Sequence, residues 1–479
     1  MQTRTTKICL IGLTVVCLSA FSPRFLMGDV KNVILMIGDG AGYNHWIAAS
    51  MYQGRWDAES SQSTQVYDGD DWIEVGCSTH PLNLSDTPQK TDVQDRQLIY
   101  APARAWDRQT GYDWLNRMFT DSAAAGTALA TGVKTYNNAI NWSDLDRPIL
   151  PTIAHIAAQS GRSAGVVASV QWSHATPAAM GGARAAKRSD YEAIANQMIR
   201  DGILDVIMGA GHPDFDDDGR PVTNEPTHRY VGGKETWEAI EAARATPDGT
   251  YHGLRPVSTN AEFQSLLSGK TPRRVLGTAQ VARTLQYARK GGSDDKNPYD
   301  TPRLTNVPTL AQMTQGALNV LGQNPRGLWL MVEGGAIDWA GHGNQGARLI
   351  EEQIEFVEAI EAVVQWIEAN SDWDETLLIL TADHETGLVW GPDSAEEEHR
   401  FQPIVDQGAG QMPLLRFHSK EHTNSLVPVF ARGRGAQWFV ELADRTDPVR
   451  GPYLDNTDVF HVMAKAVSGP VAAPAEASR

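Results

Sequence analysis

The 479-residue chain is 41% hydrophobic and 21% charged, proportions that exclude a disordered polymer and predict a globular protein with a large core. Its formal net charge of −17 disfavours nucleic acid as a specific partner and favours solubility, with aspartates free to hold divalent cations. One large α/β domain with insertions, or two domains, is the expectation for this length.

Residues 1–28 contain Arg4, Lys7, an apolar run from Ile8 to Ala20 and no acid. That is the layout of a secretory signal peptide, and the run is too short to span a bilayer. Its loss would take the charge to −20, since Arg24 leaves with it, and would remove Cys9 and Cys17. Cys77 would then be alone, so no intramolecular disulfide is expected in the mature chain, although secretion or a periplasmic location implies an oxidising compartment.

Val33-Ile34-Leu35-Met36-Ile37 is a continuous apolar run that stops at Gly38-Asp39-Gly40, the pattern of a buried parallel strand ending in a carboxylate. The stretch from about Asp57 to Gln109 is rich in Asp, Gln, Ser and Thr and is expected to be loop and peripheral insertion. Thr120-Asp121-Ser122-Ala123-Ala124 then puts a hydroxyl beside a carboxylate ahead of helix-compatible alanines. Backbone N–H groups at a helix start have no intrahelical partners and favour an anion, so Ser122 Oγ would face a phosphate site; the plainer alternative is that it caps the helix.

Helical spacing follows from Ile149 to Gln159, a strand from Ala164 to Val170, a helix from Tyr191 to Arg200 and a strand from Ile203 to Met208. Residues 209–227 form a glycine- and aspartate-rich loop, in which Asp214 to Glu225 has the spacing of a calcium loop. Pro221 sits inside it and no paired helices flank it, so a solvated turn is the better reading. Residues 230–305 carry helices and loops of low information. Leu328 to Val332 reads as a strand running into Glu333, Arg348 to Asn370 as a long amphipathic helix, Leu377 to Leu380 as a strand running into Thr381-Ala382-Asp383-His384, and Val427 to Ala431 as a further strand. Alternating strands and helices predict a mostly parallel central sheet with helices on both faces, its ligand site at the carboxyl ends of the strands. The Ala-, Pro- and Ser-rich end, residues 469–479, is expected to be a flexible tail, leaving 29–468 as the folded domain.

Asp39, Glu333 and Asp383 therefore fall at equivalent ends of three strands. Like charges brought into one crevice must take up protons or bind cations, and nearby histidines favour cations. Asp338 and His342 are four residues apart and share a face if the segment is helical, His384 follows Asp383, and His422 supplies a further imidazole. Mixed His and Asp donors suit zinc, whereas oxygen donors suit magnesium. A single strand-end aspartate is ordinarily a helix cap and a lone histidine a surface residue; the metal reading rests on several of them sharing one sheet edge.

Gly38-Asp39-Gly40, Thr120-Asp121-Ser122-Ala123-Ala124, His174-Ala175-Thr176-Pro177, Val332-Glu333-Gly334-Gly335-Ala336-Ile337-Asp338, His342, Thr381-Ala382-Asp383-His384 and Glu421-His422-Thr423 resemble, in order, the motifs of the alkaline phosphatase family. The resemblance covers most of the chain. It implies phosphomonoester hydrolysis through a phosphoserine on Ser122, an alkaline optimum, two Zn2+ and one Mg2+, and a homodimer. Asp338, His342 and His422 match its first zinc site, Asp39, Asp383 and His384 the second, and Asp39, Thr176 and Glu333 the magnesium site. The family's phosphate-binding arginine precedes an aromatic by three residues, a pattern met by Arg188 and Tyr191, although simple counting also allows Lys187. A guanidinium holds two phosphate oxygens at once, which favours Arg188. His174, beside the magnesium ligands, stands where the best-known bacterial pattern has aspartate, and Trp339, at the substrate side, stands where it has lysine.

Sulfatases and phosphodiesterases share this metal-edge sheet. A sulfatase needs Pro and Arg close behind its modified Cys or Ser, and Ser122 is followed by Ala123-Ala124-Ala125-Gly126. A non-catalytic scaffold would require a lost ligand or nucleophile, and none is lost.

Overall fold

Val33, Ile34, Leu35, Met36 and Ile37 all have zero solvent exposure. Because consecutive strand residues point to opposite faces, both faces of this strand are covered, as in a parallel sheet sandwiched between helices. The computed structural model describes residues 30–468 except 224, 293 and 294. The expected leader and tail lie outside the described residues.

Among the described residues the main sheet has eleven strands in the order Arg445–Asp447, Gly451–Asp455, Ile73–Ser78, Val427–Gly433, Thr376–Thr381, Asn32–Gly38, Leu328–Gly334, Ser163–Gln171, Val206–Ala210, Val275–Thr278 and Arg255–Val257. From Thr376–Thr381 to Arg255–Val257 every pairing is parallel, and Val427–Gly433 joins antiparallel. The mostly parallel α/β sheet read from the sequence is the observed architecture. The helix Gly346–Asn370 packs against the helices Leu310–Leu321, Ala336–His342 and Tyr43–Tyr52.

Some boundaries differ. The stretch assigned to loop from Asp57 to Gln109 contains the strand Ile73–Ser78, which enters the main sheet between Val427–Gly433 and Gly451–Asp455. Its apolar content is broken by Glu74 and Gly76, so no periodic signal marks it; cross-strand pairing sets it. The helix expected from Ile149 starts at Ile153, because Pro151 and the extended Thr152 hold the chain out of helical geometry until then. The strand expected at Ile203 to Met208 runs from Val206 to Ala210.

Register positions the chemistry. Ile37 pairs with Thr381 on one side and Glu333 on the other, and Ala168 pairs with Glu333 from the next strand. The chain segments that carry Asp383, Asp39, Glu333 and Thr176 therefore leave four adjacent strands at the same end. Gly40 turns there with φ of 75°, and a Cβ on it would come within 2.8 Å of the Asp338 backbone. Only glycine lets the turn after Asp39 pass this close to the helix Ala336–His342.

Candidate active site and metal-ligand cluster

The helix Ser122–Thr131 is capped by Asp121, whose Oδ1 accepts from the Ala124 N–H at 3.0 Å. Ser122 is thus the first helical residue and not the cap, which leaves its hydroxyl for other work. That hydroxyl is buried and lies 3.2 Å from His384 Nε2. The other Asp121 oxygen, Oδ2, accepts from Arg188 Nη1 at 3.0 Å, and the Arg188 N–H is itself anchored on the Asn138 carbonyl. Arg188, not the exposed Lys187, is the cation held beside Ser122.

The short helix Ala336–His342 presents Asp338 and His342 on one face, and the antiparallel pair of Glu385–Thr386 with His422–Thr423 brings His422 across to them. Nε2 of His342 and of His422 each lie 3.4 Å from Asp338 Oδ1, and 3.1 Å from one another. Their Nδ1 atoms face the carbonyls of Lys420 and Thr120. A carbonyl only accepts, so each Nδ1 carries the hydrogen and each Nε2 presents its lone pair inward. Three acceptor atoms converging this closely require a shared proton or a cation. Backbone carbonyls that orient imidazoles in this way are the usual second layer of a metal site.

A second group lies against it. His384 Nε2 is 3.5 Å from Asp39 Oδ1 and 3.4 Å from Asp383 Oδ2, and its ring stacks on His422 at 3.6 Å. Its Nδ1 is 3.3 Å from Thr386 Oγ1, which donates to Asp338 Oδ1 at 2.6 Å. The threonine oxygen accepts from the imidazole while donating to the carboxylate, which keeps His384 Nε2 free of hydrogen. Beyond Asp39 lie Glu333 and Thr176, both without solvent exposure.

The polar atoms left over say what this crevice is built for. Asp39 Oδ1, Asp383 Oδ2, both carboxylate oxygens of Glu333 and Thr176 Oγ1 are buried with no hydrogen-bond partner. Burial and the charges of Asp383, Asp338 and Glu333 push the Asp39 carboxyl well above its ordinary range. Burial and Asp383 push Glu333 up to about 8, and burial and Asp338 push Asp383 up to about 6. Burial works on Asp338 too, yet when the facing rings of His422, His342 and His384 are protonated they hold its carboxyl below the usual carboxylate range. Buried oxygens without donors cost free energy that divalent cations remove, so the donor set fits both mixed nitrogen–oxygen and all-oxygen coordination.

His174 and Trp339 sit together at the rim, the rings edge to face at 5.8 Å. Trp339 also meets Tyr287 edge to face, and His174 stacks on Tyr191. Every sequence-predicted site residue therefore falls in one region. Thr386 and the paired roles of Asp121 were not anticipated: Asp121 stood in plain view beside Ser122, but no motif marked Thr386.

Aspartates of the loop with calcium-like spacing are paired with cationic side chains. Asp217 binds Arg283 at 2.6 Å, Asp216 binds Lys290 at 3.0 Å, and Asp218 lies 3.3 Å from Arg220. Their charge is answered by side-chain cations, and the segment is a salt-bridged turn.

The alkaline phosphatase family model matches residues 30–417. The chain belongs to the alkaline phosphatase family. Alkaline phosphatase 4 of Bacillus subtilis is 30% identical over 385 residues, spanning 79% of this chain and 66% of the relative, just under two thirds of its length. Alkaline phosphatase of Escherichia coli is 28% identical over 451 residues, 87% of this chain and 84% of the relative. The crystal structure of a cold-active alkaline phosphatase from a psychrophilic Shewanella superposes with a TM-score of 0.61 at 27% identity, covering 91% of this chain and 99% of that one. Membership carries the expectation of metal cofactors, and the described residues supply two clusters able to hold ions: Asp338 with His342 and His422, and Asp39 with Asp338 and His384. No described helix is long and apolar enough to cross a membrane.

Proposed function

We propose that this alkaline phosphatase family member hydrolyses phosphate monoesters through a phosphoserine on Ser122. The observation that carries the reading is the buried Ser122 hydroxyl at a helix start, 3.2 Å from His384 and beside a carboxylate cluster in which Asp39 Oδ1, Asp383 Oδ2 and both Glu333 oxygens have no donor. In this reading Asp338, His342 and His422 hold one Zn2+, Asp39, Asp383 and His384 a second, and Asp39, Thr176 and Glu333 a Mg2+, with His174 behind the magnesium ligands. When bound, the ions lower the pKa of the serine hydroxyl and offset the charge that grows on oxygen as the ester breaks.

The chain's own residues do the rest. Arg188, aimed by Asp121, grips two non-bridging phosphate oxygens and fixes the phosphorus in front of Ser122 Oγ. Ser122 Oγ bonds to phosphorus as the ester oxygen departs with the alcohol. Water then attacks the same phosphorus from the vacated side, and the serine oxygen leaves as its hydroxyl, releasing inorganic phosphate. Two in-line displacements retain configuration at phosphorus. A site that grips only the phosphoryl group supports broad specificity.

The leader-like residues 1–28 support export to the periplasm or medium, with 29–468 as the catalytic domain and 469–479 as a tail. Homodimer assembly is carried by the family resemblance, and sedimentation velocity on the purified chain tests it. The activity is tested by turnover of p-nitrophenyl phosphate against bis-p-nitrophenyl phosphate and p-nitrophenyl sulfate, before and after chelation. Preference for the diester or the sulfate ester overturns the reading.

A further inference from the structure

Beyond Arg188 the site has a second guanidinium that the chemistry above leaves unused. Tyr191 lies close enough to Arg188 for the guanidinium charge to act on its hydroxyl. On the face of the same ring sits Arg229, its guanidinium carbon 4.9 Å from the Tyr191 centroid and 4.5 Å from that of Tyr230. The two tyrosines pack on each other at 4.6 Å, and Arg229 Nη2 donates to the Tyr230 hydroxyl. An exposed arginine ordinarily samples many rotamers; two ring faces and a hydrogen bond hold this one in place.

Its charge is also unanswered by a carboxylate among the described residues. Arg283, which lines the same depression of about 400 Å³ together with Tyr230 and Arg229, is bound by Asp217 through both Nε and Nη2. The described residues give Arg229 no such partner. The Tyr191 ring that carries Arg229 also stacks on His174 of the site. With Trp339 where the best-known bacterial pattern has a lysine, Arg229 is a cation that shares Tyr191 with Arg188.

We infer that Arg229 is a specificity-determining anion contact, selecting phosphomonoesters whose leaving group carries a second phosphate a few bonds from the ester. The inference rests on the phosphomonoesterase reading. With Ser122 and Arg188 holding the transferring phosphoryl group, the leaving group extends over the Tyr191 and Tyr230 rings, and a second phosphate reaches a guanidinium already ordered for two-point contact. Because the side chain is ordered beforehand, little rotamer freedom is lost on binding, and the contact acts on affinity more than on the chemical step.

The test uses the metal-loaded full chain and two substrates that differ by one phosphate, 1,4-butanediol bisphosphate and butyl phosphate, with released phosphate as readout. The wild type is expected to prefer the bisphosphate. In Arg229→Ala the ratio of the two kcat/KM values should fall about five- to ten-fold, with the loss in KM for the bisphosphate, as expected for one charge-assisted pair at a partly exposed site. Arg229→Lys should keep part of the preference, and raising salt from 0.05 to 0.5 M should erode it in the wild type. A ratio that does not move in Arg229→Ala, or two substrates falling by the same factor, overturns the inference while leaving the phosphomonoesterase reading intact. Hydrolysis of neither substrate by the wild type overturns that reading and the inference with it.

Discussion

His342 and His422 point their Nε2 atoms at each other across 3.1 Å, with Asp338 Oδ1 at 3.4 Å from both. Backbone carbonyls occupy the opposite nitrogens, so each neutral ring keeps its Nε2 lone pair inward, and only a ring that takes up a second proton carries a hydrogen there. Chelation is accordingly expected to abolish turnover and lower the melting temperature together, since an ion present at a hundred times its Kd stabilises the native state by about 2.7 kcal/mol. Calorimetric scans with and without chelator, followed by Zn2+ and Mg2+ readdition, check this. A chelated protein that melts at the native temperature would show that the cluster holds protons instead.

Ser122→Ala should cut turnover by several orders of magnitude and abolish phosphate labelling of the protein. Because Asp121 and not Ser122 caps the helix, the substitution should leave thermal stability and metal content nearly unchanged. Near wild-type turnover in this variant would remove Ser122 from the mechanism.

Trp339 packs on His174 and Tyr287 where an ammonium would add charge beside the phosphate. Trp339→Lys should tighten product inhibition by inorganic phosphate about five-fold, the worth of one partly exposed cation near an anion, and lower turnover at alkaline pH if release limits it. Inhibition constants are to be compared at matched zinc content. Unchanged or weaker inhibition at full zinc occupancy would mean that the indole serves only to pack.

His212 lies outside the site and reports on acid stability. Burial pushes its pKa down to about 4, while Nδ1 accepts from the Asp214 N–H and the ring meets Phe215 and Trp237 edge to face. The unfolded chain takes up a proton at this residue as pH falls below about 6.5, whereas the native state does not until about 4, so acidification across that window destabilises the wild type. In His212→Asn, which keeps an acceptor for the Asp214 N–H, that cost is absent. Between pH 7 and pH 5 the stability difference between the two proteins should shift by about 2 kcal/mol in favour of the variant, read from urea melts.

Most of the parallel strands were legible because each is a short, unbroken apolar run buried on both faces, whereas Arg255–Val257 and Val275–Thr278, inside the stretch read as helices and loops, are too short and interrupted to show as one. The acids that end them were legible for the same reason: Asp39, Glu333 and Asp383 break those runs abruptly. Ile73–Ser78 was not legible, since its apolar residues are too few to show a period and its place depends on Val427–Gly433 and Gly451–Asp455.

By itself the sequence determined the α/β class, the sheet edge at which the chemistry gathers, and the order of motifs that places the chain in its family, because apolar periodicity and strand-end residues are local properties of the chain. Tertiary structure alone decided that Asp121 caps the Ser122 helix and aims Arg188, that Thr386 links His384 to Asp338, and that Arg229 lies over Tyr191. Each is a contact between segments set far apart in sequence or a choice among equally allowed side-chain orientations, and only the packed fold selects among those.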